Sequence, residues 1–205
     1  TDQQFFEQAE ETIYESLRQY ASETSEVGFR RKLFAGDAVK GFAFIDLCRK
    51  RFDVSLMNPP FGMLSTQLEE PLRRKWGSHA NDIYVLFILQ VSSMMSGGGL
   101  QGVLSSRNFL LGRDQREFRP LIIGDGHITL EYLVDVGVGV LDGAAVEACY
   151  YILGARKNKT AMFCDLRSED RDDISDLPRM LQKNPFQPCI LSRFRGIRET
   201  PILYN

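Results

Sequence analysis

The chain has 205 residues, of which 43% are hydrophobic and 25% are charged, and its formal net charge is -2. This composition predicts a globular chain of one or two domains, and the negative charge argues against a self-sufficient nucleic-acid binder, because phosphate contacts need lysine and arginine. No apolar run approaches the roughly 20 residues that span a membrane and the first residues do not resemble a signal peptide, so we expect a cytoplasmic protein.

Helices and strands alternate along the chain up to about residue 155. Hydrophobic periodicity predicts helices at residues 3–21, 41–49, 83–94 and 114–123. It predicts strands at residues 31–35, 52–57, 100–104, 129–136 and 146–153. Asn81 or Asp82 is expected to cap the third helix, and Gly97-Gly98-Gly99 to stop it. This alternation predicts an α/β fold with a mostly parallel sheet.

The pattern breaks after residue 155. The segment from Asp165 to Asp176 contains six acids and two arginines, and four prolines punctuate the residues that follow. This composition predicts a loop-rich extension.

Four residues, Asn58-Pro59-Pro60-Phe61, follow the predicted strand at 52–57. Pro59 lacks an N–H group and cannot continue a central strand, so this tetrad is predicted to form a loop at the strand end. An ordinary Asn-Pro turn is the alternative, and Asn184-Pro185 is interpreted as one because it lacks both the preceding strand and the second adjacent proline.

The tetrad resembles the catalytic motif of the S-adenosylmethionine-dependent DNA adenine-N6 methyltransferases of restriction-modification and phage-defence systems. The resemblance continues through residues 33–38, 81–88, 97–104 and 105–110, in that family's motif order. It implies a partial Rossmann-like class I methyltransferase sheet, mostly parallel with an antiparallel C-terminal strand. It further implies that residues 1–155 form the C-terminal part of the catalytic domain, and that residues 156–205 lead to a target-recognition region.

The resemblance assigns roles to individual residues. The side-chain oxygen of Asn58 and the backbone oxygen of Pro59 would accept hydrogen bonds from the adenine amine, while the prolines hold that backbone in place. Phe61 would stack on an adenine flipped out of double-stranded DNA. Asp37, Ala38 and Asn58 would bind S-adenosylmethionine, although Gly36-Asp37 is equally well interpreted as a turn.

Two further groups of residues are predicted to contact the DNA substrate. Leu141 lies in the loop that, in the resembling family, packs on the flipped base, and it stands where that family has an aromatic residue. Arg73, Arg74 and Lys75 follow the tetrad closely and either contact DNA or form a solvated face.

The two glycine clusters differ as candidate cofactor loops. Residues 97–102 satisfy G-x-G-x-x-G, but they leave a helix and enter a strand, so we reject them. Residues 135–139 follow a strand, which would suit a permuted methyltransferase, yet residues 146–153 favour a strand over the helix that such a loop should open. Residues 1–29 supply no such loop either. We therefore expect the chain to be a piece of a longer methyltransferase that by itself binds the cofactor weakly.

Other functions stay open at this point. The tetrad chemistry also suits methylation of cytosine N4, an RNA adenine or a protein glutamine, and a non-catalytic structural relic of the fold is an alternative from another class. Scattered cysteines and isolated histidines predict neither a metal site nor disulfides. Partners would be DNA and further domains or subunits of a restriction-modification system, with no membrane.

Overall fold

The computed structural model describes residues 15, 16, 19, 37, 40, 41, 43–64, 66–77, 82–124, 126–140, 146–167, 174–196 and 202. The chain divides into two compact units, Thr1–Lys50 and Arg51–Asn205. Within the described ranges, every helix is too short or too polar to cross a membrane.

The first unit is helical wherever it is described up to residue 49. Residues 15, 16, 19, 37, 40, 41 and 43–49 are all helical, which confirms the helix predicted near 41–49. Asp37 is exposed and lies 3.9 Å from the Lys40 ammonium group. Most of the predicted helix at 3–21, the predicted strand at 31–35, and Ala38 lie outside the described residues.

The second unit is built on a six-stranded sheet with the order β1-β2-β4-β3-β5-β6. Its strands are β1 (Phe52–Met57), β2 (Met95–Ser106), β3 (Thr129–Gly137), β4 (Ala148–Gly154), β5 (Thr160–Asp165) and β6 (Gln187–Ile190). β1, β2, β3 and β5 run in one direction, whereas β4 and β6 run in the opposite direction. The α/β sheet with four strands in one direction and an antiparallel C-terminal strand is therefore confirmed.

Short helices connect these strands. They are α1 (Thr66–Trp76), α2 (Ile83–Ser92), α3 (Asn108–Leu111), α4 (Phe118–Ile122) and α5 (Leu177–Lys183), with 3-10 turns at Arg113–Gln115, Ile174–Asp176 and Leu191–Gly196. The single helix predicted at 114–123 is wrong in extent, since a 3-10 turn precedes α4. Pro120 explains this interruption, because a proline lacks the N–H of a helix interior and is tolerated only in the first turn.

The glycines at 97–99 do not stop α2, contrary to prediction. That helix already ends at Ser92, and the glycines belong to β2. Gly99 passes so close to β1 that an added Cβ would lie 2.9 Å from the backbone oxygen of Phe52. Gly99 therefore permits close strand pairing.

The main core lies between α2 and the sheet. Val85 and Ile88 of α2 are completely buried, together with Leu133 of β3 and Leu153 of β4. Removing these apolar side chains from water supplies the main driving force for closing the helix on the strands. This packing fixes the start of α2 against the sheet.

The residues predicted to form a loop-rich extension contribute two strands to the same sheet. β5 pairs in parallel with β3, and β6 pairs antiparallel with β5. The run Thr160-Ala161-Met162-Phe163-Cys164 has the apolar character of a half-buried strand, with Phe163 and Cys164 buried. The division into a catalytic part ending at residue 155 and a recognition part after it stays a prediction.

Candidate active site

The carboxyl ends of four parallel strands meet at one edge of the sheet. Asn58 follows β1, Arg107 follows β2, Val138 follows β3 and Leu166 follows β5. In open α/β sheets, ligands bind in the crevice outside the carboxyl ends of the strands. The tetrad therefore lies at the edge where a substrate site is expected.

The tetrad begins where the pairing of β1 with β2 stops. Met57 is the last paired residue of β1 and lies opposite Val103, so Asn58 is the first residue of the loop, as predicted. Asn58 and Pro60 are exposed, whereas Pro59 is buried. This alternation presents the Asn58 amide to solvent while Pro59 fixes the backbone beneath it.

The residue after the tetrad is bound to the start of α2. The Gly62 N–H donates to Asp82 Oδ1 at 3.2 Å, and the Ile83 N–H donates to the Gly62 carbonyl oxygen at 3.0 Å. Gly62 has a φ of 137°, a backbone conformation that residues with a side chain rarely adopt. The tetrad is thus held at one end by strand pairing and at the other by a helix start.

Asp82, one of the two residues predicted to cap this helix, occupies the N-cap position of α2, although its side chain makes no capping hydrogen bond. Partial burial raises the pKa of its carboxyl group, and the hydrogen bond from the Gly62 backbone amide partly offsets that rise. The carboxylate is therefore partly desolvated at the point where the tetrad loop meets the helix.

Phe61 packs on Tyr84 in the first turn of α2. Their ring centroids are 6.3 Å apart at an interplanar angle of 74°, which is an edge-to-face contact. Tyr84 is only 1% exposed, and among the described residues its hydroxyl has no hydrogen-bond partner. Burial, followed by the charge of Asp82, raises the pKa of Tyr84. Tyr84 is therefore a packing support with a neutral side chain.

A buried amide supports the tetrad from below. Gln101 is completely buried in β2, and its Nε2 donates to the Met57 sulfur at 3.5 Å and to the Ile88 carbonyl oxygen at 3.3 Å. The Ser92 hydroxyl donates to Gln101 Oε1 at 2.8 Å. Sequence reasoning missed this residue, although an amide at an inward position of an apolar strand was the available signal.

Asn58 also lines a cavity of about 520 Å³. The other lining residues are mainly apolar and come from β1, β2, β3, β4 and the segment before β6: Leu56, Met57, Gly102, Val103, Leu104, Tyr132, Val134, Tyr150, Tyr151, Ile152 and Phe186. Leu56 is 84% exposed on this side of the sheet. An amide beside an apolar wall can bind the polar edge of a flat ligand while the wall receives its face.

The basic residues predicted to contact DNA lie at the end of α1. Arg73, Arg74 and Lys75 are all exposed in its last turn. Arg74 pairs with Glu70 at 2.9 Å, and the Lys75 ammonium donates to Gln90 Oε1 at 2.8 Å. These contacts within the chain are those of a solvated helix face, and a DNA role stays a prediction.

The remaining predicted cofactor and substrate residues lie in the first unit or outside the described residues. Asp37 belongs to the first unit, whereas Asn58 belongs to the second. Ala38 and Leu141 lie outside the described residues. The predicted site that the structure does assemble is therefore Asn58-Pro59-Pro60-Phe61 on β1 and α2.

Among the described residues, neither glycine cluster opens a helix. Gly97, Gly98 and Gly99 lie inside β2, which agrees with their rejection as a cofactor loop. Gly137 and Gly139 have positive φ, and the described residues between β3 and β4, 138–140 and 146–147, are not helical. The described residues thus give no support to the permuted arrangement, which needs a helix after this loop.

Comparisons with known proteins agree with this geometry. The model of the Eco57I restriction-modification methylase family matches residues 3–138. A protein of Methanocaldococcus jannaschii described as a type II restriction enzyme and methyltransferase is 27% identical over 136 residues, which are 66% of this chain and 11% of that protein.

Two solved structures show the same fold at low sequence identity. A type I restriction-modification methyltransferase subunit from Streptococcus thermophilus superposes with a TM-score of 0.52 and 14% identity over 74% of this chain and 37% of its own. The DrdV–DNA complex superposes with a TM-score of 0.55 and 15% identity over 78% of this chain and 19% of its own. The chain therefore spans only a minor part of each of these relatives.

Proposed function

The chain belongs to the Eco57I restriction-modification methylase family, and we propose that it is part of an enzyme that transfers a methyl group from S-adenosylmethionine to adenine N6 in DNA. One observation carries this proposal: the tetrad Asn58-Pro59-Pro60-Phe61 leaves a sheet edge and is fixed to the start of α2 through Gly62. The fixed loop presents an amide and an aromatic ring together.

The chemistry of an adenine amine explains the need for such a loop. Its lone pair is delocalised into the ring, so the nitrogen is a poor nucleophile. The Asn58 side-chain oxygen and the Pro59 carbonyl oxygen each accept a hydrogen bond from an N–H group of the amine, which favours a more tetrahedral nitrogen. Attack then forms a C–N bond as the C–S bond of the donor breaks, and the extra proton leaves to water. The rate gain comes from positioning and fixed dipoles.

The ring of Phe61 provides the second element of substrate binding. Its edge-to-face contact with Tyr84 leaves about a third of the side chain exposed, at 36%. A flipped adenine stacks on this exposed part, with its amine directed to Asn58. Arg73, Arg74, Lys75 and Leu141 would contact the DNA around that base.

S-adenosylmethionine, when bound, supplies an electrophilic methyl group on a sulfonium. Of the residues proposed to hold it, Asn58 is at the sheet edge, while Asp37 and Ala38 belong to the first unit. The glycine clusters of the described residues do not form a loop that enters a helix. We propose that this chain by itself binds the donor weakly. Calorimetric titration tests this, and binding in the micromolar range would contradict it.

Duplex DNA as substrate is supported by the relatives. The Methanocaldococcus jannaschii protein is described as both a restriction enzyme and a methyltransferase, and the DrdV structure contains DNA. The whole protein would act with further domains or subunits of a restriction-modification system, in the cytoplasm.

The decisive experiment compares two asparagines in the full-length protein. Asn58→Ala removes an acceptor for the amine and is expected to lower methyl transfer from labelled cofactor to duplex DNA by about 100-fold or more. Asn184→Ala is the matched control, because Asn184 also precedes a proline but its amide donates to the Met180 carbonyl at the end of α5. The control should keep its activity.

The products separate the competing functions. Mass spectrometry of the digested DNA should detect N6-methyladenine, whereas N4-methylcytosine, or label found only in RNA or protein, would assign the site to another amine. Equal methyl transfer by Asn58→Ala and wild-type protein would overturn the catalytic role of the tetrad. Absence of transfer by the wild-type full-length protein would favour the structural relic.

A further inference from the structure

Five charged residues meet at the carboxyl edge of the sheet beside the strand that carries the tetrad. We refer to this group as the charged hub: Arg107, Asp135, Glu147, Asp165 and Arg167. At its centre, the Arg107 Nε donates to Asp135 Oδ2 at 2.7 Å, and the Arg107 Nη1 donates to Glu147 Oε2 at 3.1 Å. The Asp135 side chain is fully buried and that of Arg107 is 12% exposed.

The hub connects the ends of four strands. Arg107 directly follows β2, Asp135 lies near the end of β3, Glu147 directly precedes β4, and Arg167 closely follows β5. Since β2 is the neighbour of β1 in the sheet, Arg107 sits on the strand adjacent to the one that ends in the tetrad.

Arg107 contacts both ends of the connection between β3 and β4. On the β3 side it binds Asp135, whose Oδ1 also accepts the Gly137 N–H at 3.3 Å. On the β4 side it binds the Glu147 carboxylate, and its own backbone N–H donates to the Glu147 carbonyl oxygen at 3.0 Å. One side chain therefore bridges residues that are far apart in the sequence.

The burial of Asp135 makes this arrangement geometrically strict. A buried carboxylate needs a cation and directed hydrogen bonds, which limits the positions that Arg107 can take. The guanidinium reaches two carboxylates through two different nitrogens, whereas a lysine ammonium is a single point of charge.

We propose that Arg107 is a positioning residue of the methyl-transfer site, which fixes the end of β3 and the start of β4 relative to the tetrad. This inference rests on the proposed function and adds to it a residue that acts through Asp135 and Glu147, without touching the substrate. Its role is to keep one side of the site in a single position while the base enters.

The test uses two glutamates of the full-length protein whose side chains are about half exposed and that each pair with an arginine. Glu147→Ala removes one arm of the hub, and Glu117→Ala, which breaks the Arg116 pair, is the matched control. Amide hydrogen exchange reports on the end of β3 and the start of β4, and steady-state kinetics report on methyl transfer. For Glu147→Ala we expect faster exchange at these strand ends and a kcat lowered about tenfold, because misplacement of a site by a fraction of an ångström is costly. The control variant should change neither the exchange rate nor kcat.

A second variant tests the same role by changing the arginine of the hub instead of Glu147. Arg107→Lys retains the charge but is expected to bridge one carboxylate only, so exchange should accelerate either at the end of β3 or at the start of β4 and kcat should fall, with binding of the cofactor unchanged.

The outcomes separate this inference from the proposed function. Unchanged exchange in both variants overturns the positioning role, whatever the activity is. Faster exchange with unchanged kcat also overturns it, since the hub would then be purely structural. Wild-type full-length protein without methyl transfer overturns the proposed function, and the positioning role with it.

Discussion

Two neighbouring parts of the same sheet edge differ in how their charged and buried polar groups are stabilised. On the tetrad side, Asp82 is partly desolvated with a raised pKa, and the buried hydroxyl of Tyr84 has no partner among the described residues. On the hub side, the buried Asp135 and the exposed Asp165 are both bound by arginines. Polar groups that are buried at an energetic cost are often found at ligand-binding sites. We therefore expect that the hub mainly stabilises the edge and that the tetrad side is the part arranged for binding.

The largest effect is expected from breaking the hub at its centre. Asp135→Ala leaves Arg107 in a poorly solvated position without its buried partner, and should lower the free energy of unfolding by about 3–5 kcal/mol. Urea denaturation followed by circular dichroism measures this. Glu117→Ala, at an exposed ion pair, should cost less than about 1 kcal/mol. A loss of similar size in both variants would show that the buried pair of the hub contributes no more to stability than an exposed ion pair.

Two buried tyrosines provide a smaller and more direct test. The Tyr151 hydroxyl is 2.9 Å from the Ser105 hydroxyl, so Tyr151→Phe should lower the free energy of unfolding by about 1 kcal/mol. Tyr84→Phe removes a hydroxyl without a described partner, and should leave stability unchanged or raise it by up to about 1 kcal/mol. A clear loss on Tyr84→Phe would mean that its hydroxyl is satisfied in solution, for example by buried water.

The tetrad was accessible from the sequence because its signal is local. Two adjacent prolines after an apolar run fix both the end of β1 and the loop that follows, whatever the rest of the chain does. The helix α2 and the strands β3 and β4 were predicted for a similar reason, since each has a periodic apolar pattern of its own.

The hub could not be predicted because its signal is not local. Arg107 is 28 positions from Asp135 and 40 from Glu147, so only the pairing of β2 and β3 with β4 brings these charges together. Gln101 was missed because its hydrogen bonds reach β1 and α2. Local composition also misled at β5, where the acidic segment that follows outweighed a short apolar strand.

The smallest effect should appear in the pH dependence of two aspartates. For Asp82 the folded-state pKa is raised by burial, so the folded protein holds its proton to a higher pH than the unfolded chain. Stability is therefore lost as the pH rises above the unfolded value of about 4. Asp82→Asn, which can still accept the Gly62 N–H, should be slightly more stable than wild type at pH 7 and equal to it at pH 3.

Asp165 should behave in the opposite way. The side-chain hydrogen bond from Arg167 lowers the pKa of this carboxyl group. Its stabilisation is therefore present above the unfolded pKa of about 4 and lost as the pH falls through the folded value. Because the Asp165 side chain is 37% exposed, solvent screening keeps the effect below about 1 kcal/mol. Asp165→Asn should thus be slightly less stable than wild type at pH 7, with the difference shrinking in acid. Urea unfolding of wild type and both variants across this pH range measures how each stability difference changes with pH. If the two differences changed in the same direction, the contrast between the carboxyl groups of the tetrad side and the hub side would be contradicted.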